Sequence, residues 1–283
     1  MCPSLPPKEL FSELNTINTS RIEVGKFCRD VKKSNSSYCG IPGKFLALIA
    51  TPISFPLYRL FNNLFEICHF LEIFKISHVT AIWKRCGLKS DPSMYRPISL
   101  LPTLSKIMES IVHKRLLDHF VYNKIISERQ AAYIKGDSTI QQVLYIVHLI
   151  RTSWTRGDIT QGIFLDVSAA FDKCWHLGIL AKLKQHKVEG IVFDLFQSYL
   201  TERKQIVVVD GHQSDIKDVN AGVPQGSRLG PLLWILYIND IIEHVESEAL
   251  LFADDTCLFA TGKDPAQTAA ILNRDLEKIH DWP

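Results

Sequence analysis

Three aspartates carry the strongest chemical signal in the chain. Asp254 and Asp255 stand side by side in LLFADDTCLF, between two apolar runs, and Asp166 ends the apolar run QGIFLD. Two carboxylates about 4 Å apart repel by roughly 4 kcal/mol at an effective dielectric near 20, so something must offset that repulsion. A bound cation does so. In two-metal chemistry, cations about 3.5 to 4 Å apart are held by several carboxylates against the attacking and leaving oxygens of a phosphoryl displacement. Magnesium suits such a site because it takes few carboxylates and leaves positions for water and substrate phosphate. The competing reading is structural, with Asp254 and Asp255 as a polar hairpin tip and Asp166 as a strand end.

Two further stretches could bind a ligand. In GVPQGS, Gly222 and Gly226 allow close backbone approach and Gln225 can present an amide to a base or sugar, unless the loop is simply the turn before the helix that follows Pro231. In YRPISLLP, the planar fork of Arg96 suits a triphosphate; alternatively it is a surface arginine before a proline-fixed turn.

These residues need elements to position them. Residues 1–40, rich in Pro, Ser, Asn and Lys, are expected to be a loose extension, with VKKSNSSYCG as a linker. Ile41 to Ile76 is expected to be helical with interruptions at Pro52 and Pro56, followed by the strand SHVTAIW. Leu104, Ile107, Met108, Ile111 and Val112 recur at helical spacing, with Lys106 on another face and Thr103 as cap. Ser138 and Gln141 have capping-box spacing before a second helix, whose aliphatic stripe is expected in the core. Then come the strand ending at Asp166, helices over Leu177–Gln185 and Ile191–Leu200, and a hairpin turning at Asp210 and Gly211. An apolar helix, LLWILYINDII, precedes the aspartate pair, which is read as the turn of a strand-turn-strand, and a helix over Pro265–His280 closes the chain. The irregular alternation predicts an α+β fold, a small antiparallel sheet backed by helices.

Bulk properties bound the class. With 283 residues, 46% of them hydrophobic, and a mean hydropathy of +0.05, the chain is globular. Seven scattered cysteines without a Cys-x-x-Cys pair argue against a disulfide framework or zinc site and for a reducing compartment. MCPSLPPKELFSELNT is too polar for a signal peptide, and FLALIATPISFPLY, at 14 residues, is too short to span a bilayer. An intracellular protein, nuclear or cytoplasmic and without a membrane partner, is expected. Between Lys84 and Lys135 ten Lys or Arg oppose four acids, a net +6 that leaves −4 elsewhere in a +2 chain, as suits gripping a polyanion.

Taken in order, SDPSMYRPISLLPTLSKIMESIVHKRL, KGDST, FLDVSAAFDKCWH, SYLTERKQIVVV, GVPQGSRLGPLLWILYINDI and LFADDT resemble the reverse transcriptase domain of non-LTR retrotransposons of the Jockey and CR1 type. The likeness runs from about Ile41 to the C-terminus. It implies an RNA-directed DNA polymerase with right-hand fingers and palm: 41–160 a helical segment and fingers, 161–283 a palm truncated before the primer grip, with the thumb absent. It implies that Asp166, Asp254 and Asp255 hold two Mg²⁺ ions, for which Mn²⁺ could substitute, and that Val167 lends its backbone to the second. Phe171, five residues after Asp166, falls where the family's steric gate rejects a ribose 2′-OH. Gln225 and Gly226 would line the nucleotide pocket, Arg96 would contact the triphosphate, and Lys84 and Arg85 both remain candidates for the fingers cation. The implied partners are an RNA template, a DNA primer and dNTPs, the primer 3′-hydroxyl attacking and pyrophosphate leaving. The chain departs from the family pattern at Ala132 and Ile134, where glycine and arginine are usual, at Asp137 near the presumed template path, and at Arg228. The alternative is a catalytically inactive nucleic-acid-binding remnant of such an element. A group II intron or telomerase-like polymerase fits YRPISLLP and YIND less well. Without a thumb, few phosphate contacts remain and little processive synthesis is expected.

Overall fold

A computed structural model describes residues 12–31, 40–133 and 138–282. Most of the expected linker, and Ile134 and Asp137, lie outside the described residues. The chain divides into two compact units that interleave along it, one of residues up to Ile125 plus Phe171–Leu233, the other of Ile126–Ala170 plus the residues from Trp234 on. Elements are numbered along the whole chain.

The first unit contains α1 (Arg21–Asp30), α2 (Gly43–Leu48), α3 (Ala50–Glu66), α4 (Glu72–Lys75) and α5 (Thr103–Tyr122), together with β1 (Ile76–Trp83) and β2 (Tyr95–Leu100). It also holds most of α7 (Ala170–Lys173), with α8 (His176–Gln185), α9 (Gly190–Leu200), β4 (Arg203–Val209), β5 (His212–Gln213) and β6 (Lys217–Val219). The loose-extension reading fails at α1. Ser20 caps that helix by accepting from the Glu23 amide, Val24 and Cys28 are fully buried, and Arg115 grips the Glu23 carboxylate through Nη1 and Nη2 at 3.0 and 2.7 Å. The prolines do not interrupt α3 either. Pro52 sits in the first turn, where its missing N–H is not needed, and Pro56 lies inside the helix. An interior proline costs about 3 kcal/mol; burial of Leu57, Phe61, Leu64 and Phe65, each worth roughly 1.5 to 3 kcal/mol, offsets it.

YRPISL is a strand, not a turn. β2 is the edge of the sheet β2-β1-β4-β5, where Pro97 withdraws no needed donor, and β6 pairs with β4 on one side. β1 and β4 run parallel while the other pairs are antiparallel, so this sheet is mixed rather than antiparallel throughout. The β4–β5 hairpin turns at Asp210 and Gly211 with φ of +50° and +82°. Pro102, not Thr103, caps α5; the Thr103 hydroxyl instead donates to the Ile41 carbonyl at 2.7 Å. Lys106, expected to face away from the core, is buried, as are Ser105 and Glu109, so α5 is enclosed on more than one face.

The second unit holds α6 (Thr139–Thr155), β3 (Ile159–Asp166), β7 (Glu248–Phe252), β8 (Asp255–Gly262) and α11 (Pro265–His280). Its sheet is the antiparallel ladder β3-β8-β7. α11 backs one face, where Thr268 donates to Gln161 Oε1 at 2.6 Å and Thr256 and Leu258 are buried. Ser138 caps α6 through the Gln141 amide. The aliphatic stripe of α6 is not core: Ile140, Val143, Leu144 and Trp154 are 56 to 79% exposed. No described helix is long and apolar enough to cross a membrane, and the five described cysteines are free.

Candidate functional site

Asp166 and Asp255 are direct cross-strand partners at the end of the β3–β8 ladder. Opposed residues in an antiparallel pair have Cα atoms about 4.5 to 5.5 Å apart and side chains on the same face. That face is the reverse of the one α11 covers; at the Asp166 end it carries Phe164, 70% exposed, while Phe259 and Leu250 farther in are buried. The ladder explains the glycine of QGIFLD: a Cβ at Gly162 would stand 2.9 Å from the Phe259 ring, which packs edge-on against Phe164. The carboxyl of Asp255 is held above its ordinary range by burial, by Asp254 and by Asp166.

The aspartate pair does not form the turn by itself. Phe252 pairs with Asp255, so the two turn residues are Ala253 and Asp254, and Asp255 already belongs to β8. The left-handed conformation is borne by Ala253, at φ +57°, a strain of about 1 kcal/mol or more for a residue with a Cβ. The Val167 amide donates to the Asp254 carbonyl at 3.3 Å, tying the chain just beyond β3 to the turn. Burial, and then the Asp254 carboxylate, raise the pKa of Tyr133. Among the described residues no three His, Cys, Asp or Glu side chains already stand close enough to share one ion. The donor chemistry nonetheless fits a hard divalent cation: carboxylate oxygens on one exposed sheet end, one of them shifted towards protonation by burial and by the other two acids.

One residue that sequence reasoning passed over supports this turn. Gln130 is 1% exposed, and its Oε1 accepts from the Ala132 amide at 3.0 Å and the Ala253 amide at 3.2 Å. The adjoining backbone pairs with β7 through Leu251 N to Arg129 O and Ala131 N to Leu251 O, and Gln142 Nε2 donates to Leu251 O. A lone glutamine in ERQAAY carries no local signal of this.

The other candidates lie in the first unit. Phe171 and Gln225 line a cavity of about 530 Å³, with Pro97, Ser99, Asp172 and Gly222 among its walls. Arg96 is not in that lining; strand alternation sets it on the opposite face of β2 from Pro97 and Ser99. Gly226 is not in the lining either, but it fixes the loop. A Cβ there would meet the Ser99 carbonyl at 2.4 Å, while the Ser99 amide donates to Gln225 O at 2.8 Å. Gly222, at φ +84°, has the Phe171 and Asp172 carbonyls 2.7 and 2.6 Å from where a Cβ would be. Three bonds of 2.7 Å lace these segments: Gly222 N to Cys174 O, Val223 N to Phe171 O, and the imidazole Nε2–H of His176 to Gly222 O. Burial pushes the pKa of His176 down and that of Asp172 up. Beyond the loop, the fully buried Glu109 accepts from the Arg228 and Leu229 amides and from the Ser105 hydroxyl, anchoring the approach to α10 (Gly230–Ile238).

The basic stretch is not one binding face. Lys106 is buried, and Lys114 and Arg115 both pair with Glu23. Lys84 donates to the Ser93 carbonyl, Arg85 adopts φ +61°, and Lys89 stacks 5.1 Å over the Trp83 ring at the β1–β2 connection.

Comparison with known proteins identifies the family. Residues 88–282 match the family described as Reverse transcriptase (RNA-dependent DNA polymerase). The chain is 33% identical over 247 residues to the RNA-directed DNA polymerase from mobile element jockey of Drosophila melanogaster, covering 84% of this chain and 26% of that protein. It is 34% identical over 203 residues to the probable RNA-directed DNA polymerase from transposon X-element of the same species, covering 70% and 22%. It is 31% identical over 245 residues to the corresponding probable polymerase from transposon BS, covering 83% and 27%. The chain thus spans about a quarter of the length of these relatives. With the family match covering both the acidic β3–β8 end and the glycine loop, the chain belongs to the reverse transcriptase (RNA-dependent DNA polymerase) family.

Proposed function

We propose that this chain is the RNA-directed DNA polymerase domain of a non-LTR retrotransposon, joining a dNTP to a primer 3′-hydroxyl on an RNA template. The observation that carries the reading is the register of β3 on β8, which opposes Asp166 and Asp255 with Asp254 at the adjoining turn. On this reading the β3-β8-β7 sheet is the catalytic part of the palm and the β1–β2 hairpin belongs to the fingers. Asp166, Asp254 and Asp255, with the backbone of Val167, would hold two Mg²⁺ ions. Divalent cations there supply charge neutralisation at the attacking hydroxyl and the departing pyrophosphate.

The chain's own residues do the rest. The open sheet end admits a primer terminus and a nucleotide triphosphate, and the strained turn presents Asp254 in a fixed direction. Phe171 stands in the cavity wall where a ribose 2′-OH meets a ring. Gln225 offers an amide to the base or sugar, and Gly226 keeps that loop against β2. The reading leaves Arg96 out of the nucleotide pocket, because its side chain faces away from the cavity that Phe171 and Gln225 line.

The test is primer extension on an RNA template with Mg²⁺, comparing the protein with its Asp254→Asn variant. Extension by the first and loss of about a thousandfold or more in the second supports the proposal. Nucleic-acid binding by both with extension by neither refutes it.

A further inference from the structure

The turn that carries Asp254 is strained, and the strain needs a holder. Ala253 adopts φ +57° without being glycine, and it is 6% exposed. Such a conformation persists only where the surroundings over-determine it. Two bonds from outside the hairpin do this: Val167 N to Asp254 O on one side, and Ala253 N to the Gln130 side chain on the other.

We infer that Gln130 is a positioning residue for polymerisation: its side-chain oxygen locks the left-handed Ala253 and so fixes where Asp254 is presented. Two backbone donors, Ala132 N and Ala253 N, converge on that one oxygen. Turning the amide over would set its NH₂ against both donors, so the orientation is determined by the surroundings. Nε2 is buried with no hydrogen-bond partner among the described residues, an expense that the oxygen's two bonds outweigh. Gln130 is itself fixed, because the backbone on both sides of it pairs with Leu251 of β7. The register of β7 is therefore transmitted through one amide to the turn one residue beyond its end.

The idea rests on the polymerase reading for its activity arm but not for its exchange arm. In the metal-free protein, amide exchange at Ala253 is expected to speed up about tenfold or more in Gln130→Met, which keeps size and removes the acceptor. Primer extension by Gln130→Met is expected to fall about tenfold or more, because the turn relaxes. Adding Ala253→Gly, which reaches φ +57° without strain, is expected to restore extension to within about threefold while exchange stays fast. A general packing role for Gln130 predicts no rescue from position 253. Unchanged exchange at Ala253 in Gln130→Met overturns the inference, and so does a folded double variant that extends no better than Gln130→Met. Should Gln130→Met fail to fold, Gln130→Glu keeps an acceptor oxygen at the same reach. It must then hold Ala253 exchange near the wild-type rate, and fast exchange in it also overturns the inference. Wild-type protein that never extends a primer, with Ala253 exchange still controlled by Gln130, sinks the polymerase reading and leaves the positioning of the turn intact.

Discussion

Removing a candidate catalytic carboxylate should make the metal-free protein more stable. Asp166 and Asp255 face each other across β3 and β8 with Cα atoms about 5 Å apart. Were the two carboxylates no farther apart than that, the repulsion at an effective dielectric of 20 would be roughly 3 kcal/mol, an upper bound. Both side chains are exposed, so water and salt screen most of it, and about 1 kcal/mol is the reasonable remainder. Asp166→Asn relieves that term without changing size, and should raise the unfolding midpoint by about 2 °C in EDTA at pH 7 and low salt.

The pH dependence has a definite sign. Burial, Asp254 and Asp166 raise the pKa of Asp255 above its ordinary value of 3.8, so the folded chain binds that proton more tightly than the unfolded one. Its contribution to stability is complete below about pH 3.8 and is lost as pH rises through the folded value. The advantage of Asp166→Asn should therefore be small near pH 3.5 and grow with pH. Millimolar Mg²⁺ should reverse the order, stabilising the wild type by mass action and the variant much less. Thermal unfolding followed by circular dichroism from pH 3.5 to 8, with EDTA or Mg²⁺, measures all of this. A variant less stable than wild type in EDTA at pH 7, or an equal response of both proteins to Mg²⁺, refutes the reasoning.

The remaining expectations concern the first unit. Gly226→Ala, which drives a Cβ to 2.4 Å from the Ser99 carbonyl at φ +133°, should cost about 3 kcal/mol or more, read as a lower urea midpoint. Glu109→Ala orphans two buried amides and a hydroxyl, and should also cost about 3 kcal/mol by the same measurement. Loss of the imidazole bond to Gly222 in His176→Phe should loosen the wall that holds Phe171, lowering dNTP over rNTP discrimination about threefold to tenfold in single-nucleotide incorporation; an unchanged ratio would separate His176 from the gate.

Elements with a strong period were legible along the chain. β1, β3, α8, α9 and α11 begin and end within one or two residues of where hydrophobic spacing and turn residues put them, because those signals are local. The misses share a cause. Pro52 and Pro56 mark a break by local rules, yet α3 continues through them because Phe61 and Phe65 behind them are buried by distant helices. Lys106 was read as outward and is enclosed, while the stripe of α6, read as core, is exposed. Period tells which residues share a helix face and not which face becomes covered. The basic stretch misleads for a similar reason, since Glu23, more than eighty residues earlier in sequence than Lys114 and Arg115, neutralises part of its charge.

Residue chemistry and order along the chain determined the family, the three acids and the glycine loop, because each motif is a short run whose side chains declare their chemistry without reference to distant partners. Tertiary structure alone decided that Asp166 opposes Asp255, that Ala253 rather than an aspartate bears the left-handed turn, and that Gln130 holds it. Strand register and buried side-chain bonds are set by contacts between segments a hundred residues apart, and their energies exist only once those segments have met.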